Sequence, residues 1–249
     1  MSALSPLFAP RGIVVVGASR APGKLGTAMT SALEAGTTPL ALVNTRGGDG
    51  FHADIDAAVS ALRDRGAEAD LLVSCVPAGA TASVVREAGE AGISAALVCA
   101  GGFAEVGGEG IQYQQDLAAA AQSFGIRVLG PNTSGFFVPA RSLRASFVPG
   151  AASLRSGRVA VVASSGGVNH MTCFRLARAG VGISIGVGLG AGFDVTHADV
   201  LDHLRDDADT SAIVLHLESV ADGAALLAAV RNAAAVKPVV ALVVGRRSE

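Results

Sequence analysis

The chain has 249 residues, half of them apolar, which is material for one large α/β domain or two ordinary ones. Its 19 basic and 21 acidic residues leave a formal charge of −2, and aromatics are only 4%, with no Trp and one Tyr. That balance excludes the basic footprint and the stacking platforms of a nucleic-acid binder.

The segment Gly12–Gly17 (GIVVVG) is apolar without alternation, the pattern of a strand buried on both faces of a parallel sheet. A turn, ASRAPGKLG, follows over 18–26, and Thr27–Ala35 reads as a helix closed by Gly36. Strands are predicted over Pro39–Val43, Asp70–Val76, Ser94–Cys99 and Ile126–Leu129, with helices over Ala80–Ala91 and Glu109–Phe124. Alternation with short turns marks a doubly wound sheet over residues 1–135. Right-handed crossovers bring Gly17, Val76-Pro77, Ala100-Gly101 and Gly130-Pro131 to one edge, where a single ligand crevice is expected.

Residues 136–156 have no clean period and contain two prolines, so they read as a linker or extended loop. Alternation resumes over 157–249. Strands are expected at Gly157–Ala163, Gly182–Val187, Ala212–Leu217 and Pro238–Val243, and helices at 168–179, Thr196–Leu204 and Asp222–Ala234. This is a second, smaller open α/β unit of about 90 residues. A finished unit more often ends on a covering helix, so an incomplete second domain or a neighbouring chain over its last strand is expected.

Three cysteines, Cys75, Cys99 and Cys173, lie in separate apolar contexts without ligand spacing. They read as buried thiols of a reducing compartment, and no metal site is expected. The stretch 179–193 is too short and glycine-rich to span a bilayer, and the start lacks the pattern of a secretory signal. A cytoplasmic protein without membrane contact is expected.

The turn Gly17–Gly26 lacks strict GxGxxG spacing. It still presents backbone N–H groups, a helix N-terminus and the charge of Lys24, a set that suits phosphate; its alternative is a plain βα turn. No acidic residue follows the second predicted strand to grip a ribose. Asn44-Thr45-Arg46 stands there, and Arg46, unless it is only a surface charge, suits the ribose phosphate of coenzyme A or NADP. In Gly130–Gly135, Asn132 offers a donor and an acceptor for a thioester or pantetheine amide, or forms a ligand-free Asx turn. Ser164-Ser165-Gly166-Gly167 ends a strand and opens a helix, a nest for a phosphoryl group or a structural turn. It is not a GxSxG elbow. Glu218 ends a strand at the same edge, where its carboxylate can orient a catalytic histidine or stay on the surface. His170, on the first turn after the nest, can reach a bound phosphate, whereas His216 reads as a packed strand residue.

Together these motifs resemble the NDP-forming acyl-CoA synthetases and the α subunit of succinyl-CoA synthetase. The marks are GASRAPGKLG at 17–26, CVPAG at 75–79, AGGFAEVGGEG at 100–110, VLGPNTSG at 128–135, GRVAVVASSGG at 157–167, the segment 198–223 and KPVVALVVGRRSE at 237–249. The resemblance implies a Rossmann-like CoA-binding domain followed by a flavodoxin-like open parallel sheet. It implies an acid–thiol ligase that couples acyl-CoA formation or cleavage to phosphate and ATP/ADP or GTP/GDP through a phosphohistidine. By position, Gly17, Ser19, Lys24, Leu25 and Gly26 would contact CoA, with Val76, Pro77, Asn132 and Thr133 nearby. Ser165 and Gly166 would face the phosphorylated histidine, and Glu218 would orient it.

Three departures qualify the likeness. Thr133 stands where the family turn carries Cys, and Ser164 replaces the Gln of its SQSG motif. The family histidine is expected beyond Glu249, and a nucleotide-grasp portion, or a β-type partner subunit carrying one, would also be needed. A homodimer, a non-catalytic CoA or acyl-CoA binder, and an NADP-dependent oxidoreductase stand as alternatives.

Overall fold

The computed structural model describes residues 2–245. Residues 246–249, the end of the last motif, lie outside the described residues. A short helix α1 (Ser5–Phe8) precedes β1 (Ile13–Val16), α2 (Leu25–Glu34), β2 (Leu40–Val43), α3 (Ile55–Asp64), β3 (Leu71–Ser74), α4 (Ala78–Glu90), β4 (Ala95–Val98), α5 (Glu109–Phe124) and β5 (Arg127–Leu129). All five strands are parallel, in the order β2-β1-β3-β4-β5. This is the doubly wound, Rossmann-like sheet that the alternation implies. Its direction of winding reverses between β1 and β3, which places the ligand crevice at those strand ends.

Alternate residues of the sheet feed two cores. Ile13, Val15, Leu71, Val73 and Leu97 join α1 and α2 on one face, and Val14, Leu72, Ala96 and Val98 join α3, α4 and α5 on the other. Helix α3 is an addition to the predicted elements. Asp54 caps it by accepting the N–H of Ala57 at 2.8 Å, and Ile55, Ala58, Val59 and Leu62 form its buried stripe.

The stretch 136–156 is not a linker. It carries most of β6 (Gly135–Val138) and all of β7 (Leu143–Ser146), which pair antiparallel with each other, and β6 pairs antiparallel with β9 (Ile183–Gly188). The remaining elements are β8 (Ser156–Ala163), α6 (Gly166–Arg178), α7 (His197–Asp206), β10 (Ala212–Leu217), α8 (Gly223–Ala234) and β11 (Val239–Val243). The second sheet runs β11-β10-β8-β9-β6-β7, so the expected open parallel sheet is present as β11-β10-β8-β9 and is extended by two antiparallel strands. Period-2 alternation fails in β6 because both faces are covered. Phe136 lies in the core shared with the first sheet, while Phe137 lies under α6. Edge strand β11 leaves Val240 66%, Leu242 56% and Val243 64% exposed. No described helix is long and apolar enough to cross a membrane.

The two sheets share one core, which runs from Ile13 and Met29 through Phe136 and Leu143 to Val187, Leu201 and Leu215. A polar clamp joins them as well. Arg127 of β5 reaches Asp194 at 3.1 Å and Asp199 at 2.9 Å, and Asp194 accepts the N–H of Val128 at 2.5 Å.

Candidate functional site

Strand β1 delivers its chain to Gly17, whose φ of +80° and close approach to β3 both require glycine: a Cβ there would lie 3.0 Å from the Cys75 carbonyl carbon and 3.1 Å from Val76 Cγ1. The chain then loops to Lys24 and enters α2. Gly26 abuts the Gly17 carbonyl so closely that any Cβ would collide with it. The helix N-terminus is thus drawn onto the sheet edge. Lys24 is the N-cap residue and supplies no side-chain cap, and the N–H groups of Leu25 and Gly26 meet no protein acceptor among the described residues. Open amides and the exposed Lys24 ammonium form an anion cradle at the reversal of the sheet.

Neighbouring side chains hold this turn. Asn44 donates to the Ala18 carbonyl at 2.8 Å and accepts from Arg46 N–H at 2.9 Å, which fixes the exposed Arg46 beside β2. Ser19 is buried under the loop and accepts from Ala21 N–H at 3.0 Å. Arg20 makes two 2.6 Å bonds to Glu34 and lies 5.8 Å from the Phe51 ring centroid. The Glu34 carboxyl sits below its ordinary value because Arg20 hydrogen-bonds to it. Half-buried Val76 and exposed Pro77 lead into α4 at the same edge.

The turn after β5 lies against the end of β4 on the same sheet edge. Asn132, with φ +56°, is exposed; its N–H donates to the Ala100 carbonyl at 2.9 Å, and its side chain borders Gly101. Thr133 departs from the expected ligand contact. It is buried between the sheets, its hydroxyl donates to the Gly188 carbonyl, and it accepts from Gly135 N–H at 3.0 Å. Its polar capacity is spent on joining the sheets.

In the second sheet, Ser165 caps α6 by accepting the Val168 N–H at 3.4 Å. The N–H groups of Gly166 and Gly167 meet no acceptor among the described residues, so the predicted nest has the expected open amides. It stands against the turn 130–135, since a Cβ on Gly166 would overlap the Ser134 side chain. Glu218 is about half exposed, with Oε1 3.7 Å from Nε2 of the buried His216. His170, by contrast, is packed beneath the nest, with Nδ1 3.3 Å from Ser134 Oγ. It is 4% exposed, its Nδ1 is 2.8 Å from the Gly166 carbonyl and its Nε2 is 3.0 Å from Ser146 Oγ. The carbonyl requires a proton on Nδ1, which leaves Nε2 to accept from Ser146. Burial holds this imidazole below its ordinary range, against the Gly166 bond, so it is a neutral core residue.

Ser164 of the predicted nest and His197, which the sequence did not single out for this site, meet in this region. Ser164 Oγ accepts the Glu218 N–H at 3.2 Å and lies 3.3 Å from His197 Nε2, which is itself 3.2 Å from the His216 carbonyl. Burial lowers the His197 pKa. The available signal was Thr196-x-x-Asp199, a capping box that places His197 first on α7 at the strand-end edge.

The sequence matches the family description "CoA binding domain" over residues 11–139 and "Succinyl-CoA ligase like flavodoxin domain" over 156–249. It is 32% identical to the α subunit of acetate–CoA ligase (ADP-forming) I of Pyrococcus furiosus, over 98% of this chain and 53% of that protein. It is 28% identical to the 4-hydroxybutyrate–CoA ligase (ADP-forming) of Nitrosopumilus maritimus, over 98% of this chain and 35% of that protein. The fold superposes with a TM-score of 0.87, at 29% identity, on the Ca. Korarchaeum cryptofilum dinucleotide-forming acetyl-coenzyme A synthetase 1, solved with phosphate and ADP; 98% of this chain and 52% of that one are covered. This chain therefore spans about half, or less, of the length of these relatives. With both halves of the chain and their order accounted for, the protein belongs to the NDP-forming acyl-CoA synthetase family, as a CoA-binding portion joined to a succinyl-CoA-ligase-like flavodoxin portion.

Proposed function

We propose that this chain is the CoA-binding, α-like portion of a cytoplasmic acid–thiol ligase that couples acyl-CoA formation or cleavage to an NTP/NDP couple and phosphate. The observation that carries the reading is the pair of open amide sets, one at Leu25-Gly26 on the strand-end edge of the first sheet and one at Gly166-Gly167 on that of the second, the latter seated against the turn 130–135. In this reading the first set and Lys24 hold the CoA diphosphate, Arg46 takes the ribose phosphate, and Val76, Pro77 and Asn132 line the path of the pantetheine arm. The second set receives a phosphoryl group, and Glu218 orients the histidine that carries it. CoA supplies the thiol; the residues of this chain bind and orient it and neutralise its charge.

The phosphorylated histidine and the nucleotide-grasp portion are proposed to come from further residues of the protein or from a β-type partner subunit. Exposed Val240, Leu242 and Val243 on β11 give such a portion an apolar surface to cover. A homodimer would use the same strand. The family matches do not favour a passive binder or a nicotinamide-dependent oxidoreductase.

Calorimetric titration tests the proposal. CoA is expected to bind with a micromolar dissociation constant and NADP to bind at least a hundredfold more weakly. Equal affinities, or no heat from CoA, overturn it. With a β-type subunit, NTP and labelled phosphate, a phosphorylated complex is expected; an unlabelled complex removes the transfer step.

A further inference from the structure

We propose that a cleft between the loop 149–155 and the C-terminal end of α6 binds a small organic anion, a phosphate or carboxylate head on an apolar body. The cleft has a volume of about 630 Å³, within the range of ligand sites. It lies at the N-terminal ends of β8 and β9, the sheet edge opposite the Gly166-Gly167 nest. The 13 residues of α6 separate the two by about 20 Å. The site is therefore apart from the proposed CoA and phosphoryl sites and does not rest on them.

Charge is the first argument. From Leu117 to Phe193 the sequence holds seven arginines, no lysine and no carboxylate, although the whole chain carries −2. The cleft is built entirely from this stretch. Arg155 enters it from the loop and Arg178 from the last turn of α6, both exposed, and Arg175 stands one turn earlier. The ion-paired arginines among the described residues are Arg11, Arg20, Arg127 and Arg205, so these three guanidiniums stand without a counter-charge. Nor are they needed to close the helix. Gly180 N–H donates to the Ala177 carbonyl at 3.0 Å and Val181 N–H to the Leu176 carbonyl at 2.9 Å, so α6 ends on its own backbone. The helix dipole favours cations on that last turn, but it does not account for Arg155 in the loop. Like charges at one cleft repel until an anion pairs with them, and the arginine fork matches carboxylate and phosphate oxygens.

The rest of the lining selects the body of the ligand. Phe174, Ala177 and Val181 give an apolar surface that is only half-buried. The loop opposite is preformed. Ser153 donates its N–H and its hydroxyl to the Gly150 carbonyl, at 2.9 and 2.7 Å. Gly150, with φ +90°, brings the loop onto the ring edge, since a Cβ there would lie 3.4 Å from Phe174 Cζ. Two unpaired guanidiniums beside an uncovered apolar surface fit a ligand that is anionic at one end and apolar at the other.

Calorimetric titration with 1-naphthyl phosphate tests the site. AMP and 1-naphthoate carry the same chemistry, and neutral 1-naphthol and inorganic phosphate carry its separate halves. Naphthyl phosphate is expected to bind in the submillimolar range, at least tenfold more tightly than either half. Arg155→Gln and Arg178→Gln are each expected to weaken it about tenfold, the worth of one charge-assisted hydrogen bond, and Lys24→Ala to leave it unchanged. AMP binding more tightly than naphthoate assigns the site to nucleotides and the reverse order to organic acids; either order supports the proposal. Binding that survives the double arginine variant, or that Lys24→Ala abolishes, overturns it. Inorganic phosphate that binds as tightly as naphthyl phosphate does the same. A hexaglutamate peptide that displaces naphthyl phosphate at lower concentration replaces the small anion with an acidic protein surface and overturns the proposal as well. A protein that binds naphthyl phosphate through both arginines but does not bind CoA supports the site, and then only the reading of the first turn fails.

Discussion

Gly26 rests against the carbonyl oxygen of Gly17, so that α2 begins in contact with the backbone it caps. The contact makes the first turn a cradle, because it draws the open amides of Leu25 and Gly26 onto the strand end. Gly26→Ala forces the helix away and is expected to cost about 2 kcal/mol of stability and to weaken CoA binding at least tenfold. Gly23 provides the contrast: its φ is +78° but a Cβ there meets nothing within 4 Å. Gly23→Ala is expected to cost about 1 kcal/mol from backbone strain and to change CoA affinity less than threefold. Urea melts and calorimetry separate the two, and similar affinity losses in both variants contradict the account.

Lys24 and Arg46 carry different parts of the same ligand in the proposed function. Lys24 leads into the open helix end, whereas Arg46 is held beside β2 by the Asn44 side chain. Lys24→Ala is expected to lower affinity for CoA and for dephospho-CoA alike, by about tenfold, the worth of one charge-assisted hydrogen bond. Arg46→Ala is expected to lower affinity for CoA only, so that the preference for CoA over dephospho-CoA disappears. Raising ionic strength is expected to weaken CoA binding to the native protein and to affect the double variant less. A preference for CoA that persists in Arg46→Ala removes Arg46 from the site.

The clamp between the sheets sets an acid limit on stability. Burial alone would raise the Asp199 carboxyl, but bonds from the Thr196 hydroxyl and N–H and from Arg127 bring it below its ordinary value of 3.8. A carboxyl held low when folded stabilises the protein above its unfolded pKa, and that contribution is lost as pH falls through the folded value. The urea midpoint is therefore expected to fall below about pH 4. Asp199→Asn is expected to lower stability at pH 7 by about 1 to 3 kcal/mol and to flatten the acid limb. An acid limb unchanged in the variant assigns the loss to other carboxyls.

Most of the architecture was legible in the sequence because its strands are buried on both faces and its turns are punctuated by glycine and proline. The helix Glu109–Phe124 and the strand Ala212–Leu217 lie where their patterns place them. Strands β6 and β7 were not legible: β6 is covered on both faces and leaves no period to read, the alternation of β7 runs over only four residues, and two nearby prolines imitate a loop. Helix α3 carried an ordinary amphipathic stripe and an Asp cap, so its signal was present and went unused. At the site, glycine-rich turns predicted the cradles because backbone geometry requires those residues locally. Thr133, His170, Ser164 and His197 were different. Their roles depend mostly on partners from 19 to 55 positions away, such as Gly188 for Thr133 and Ser146 for His170, and spacing along the chain carries no trace of such contacts.

Neutral histidines impose a second, milder limit nearer neutrality. Burial lowers the pKa of His170, His197 and His203 below 6.5, outweighing the hydrogen bond to the Gly166 carbonyl for the first, the bond to the His216 carbonyl for the second and the attraction of Asp207 for the third. Below that ordinary value the unfolded chain takes up protons that the folded chain refuses. Stability is then full above about pH 6.5 and is lost as pH falls toward the lower folded values. His170 offers the cleanest variant, since its Nε2 accepts from Ser146 among Phe137 and Phe174 without an ionic partner. His170→Gln keeps a hydrogen-bonding group there but cannot titrate. It is expected to be less stable than the native protein at pH 7.5 and to lose less additional stability on going to pH 5.5. Urea midpoints at the two pH values measure both quantities. A native midpoint that stays level or rises toward pH 5.5 shows that these imidazoles accept protons in the folded state and are not held neutral by burial.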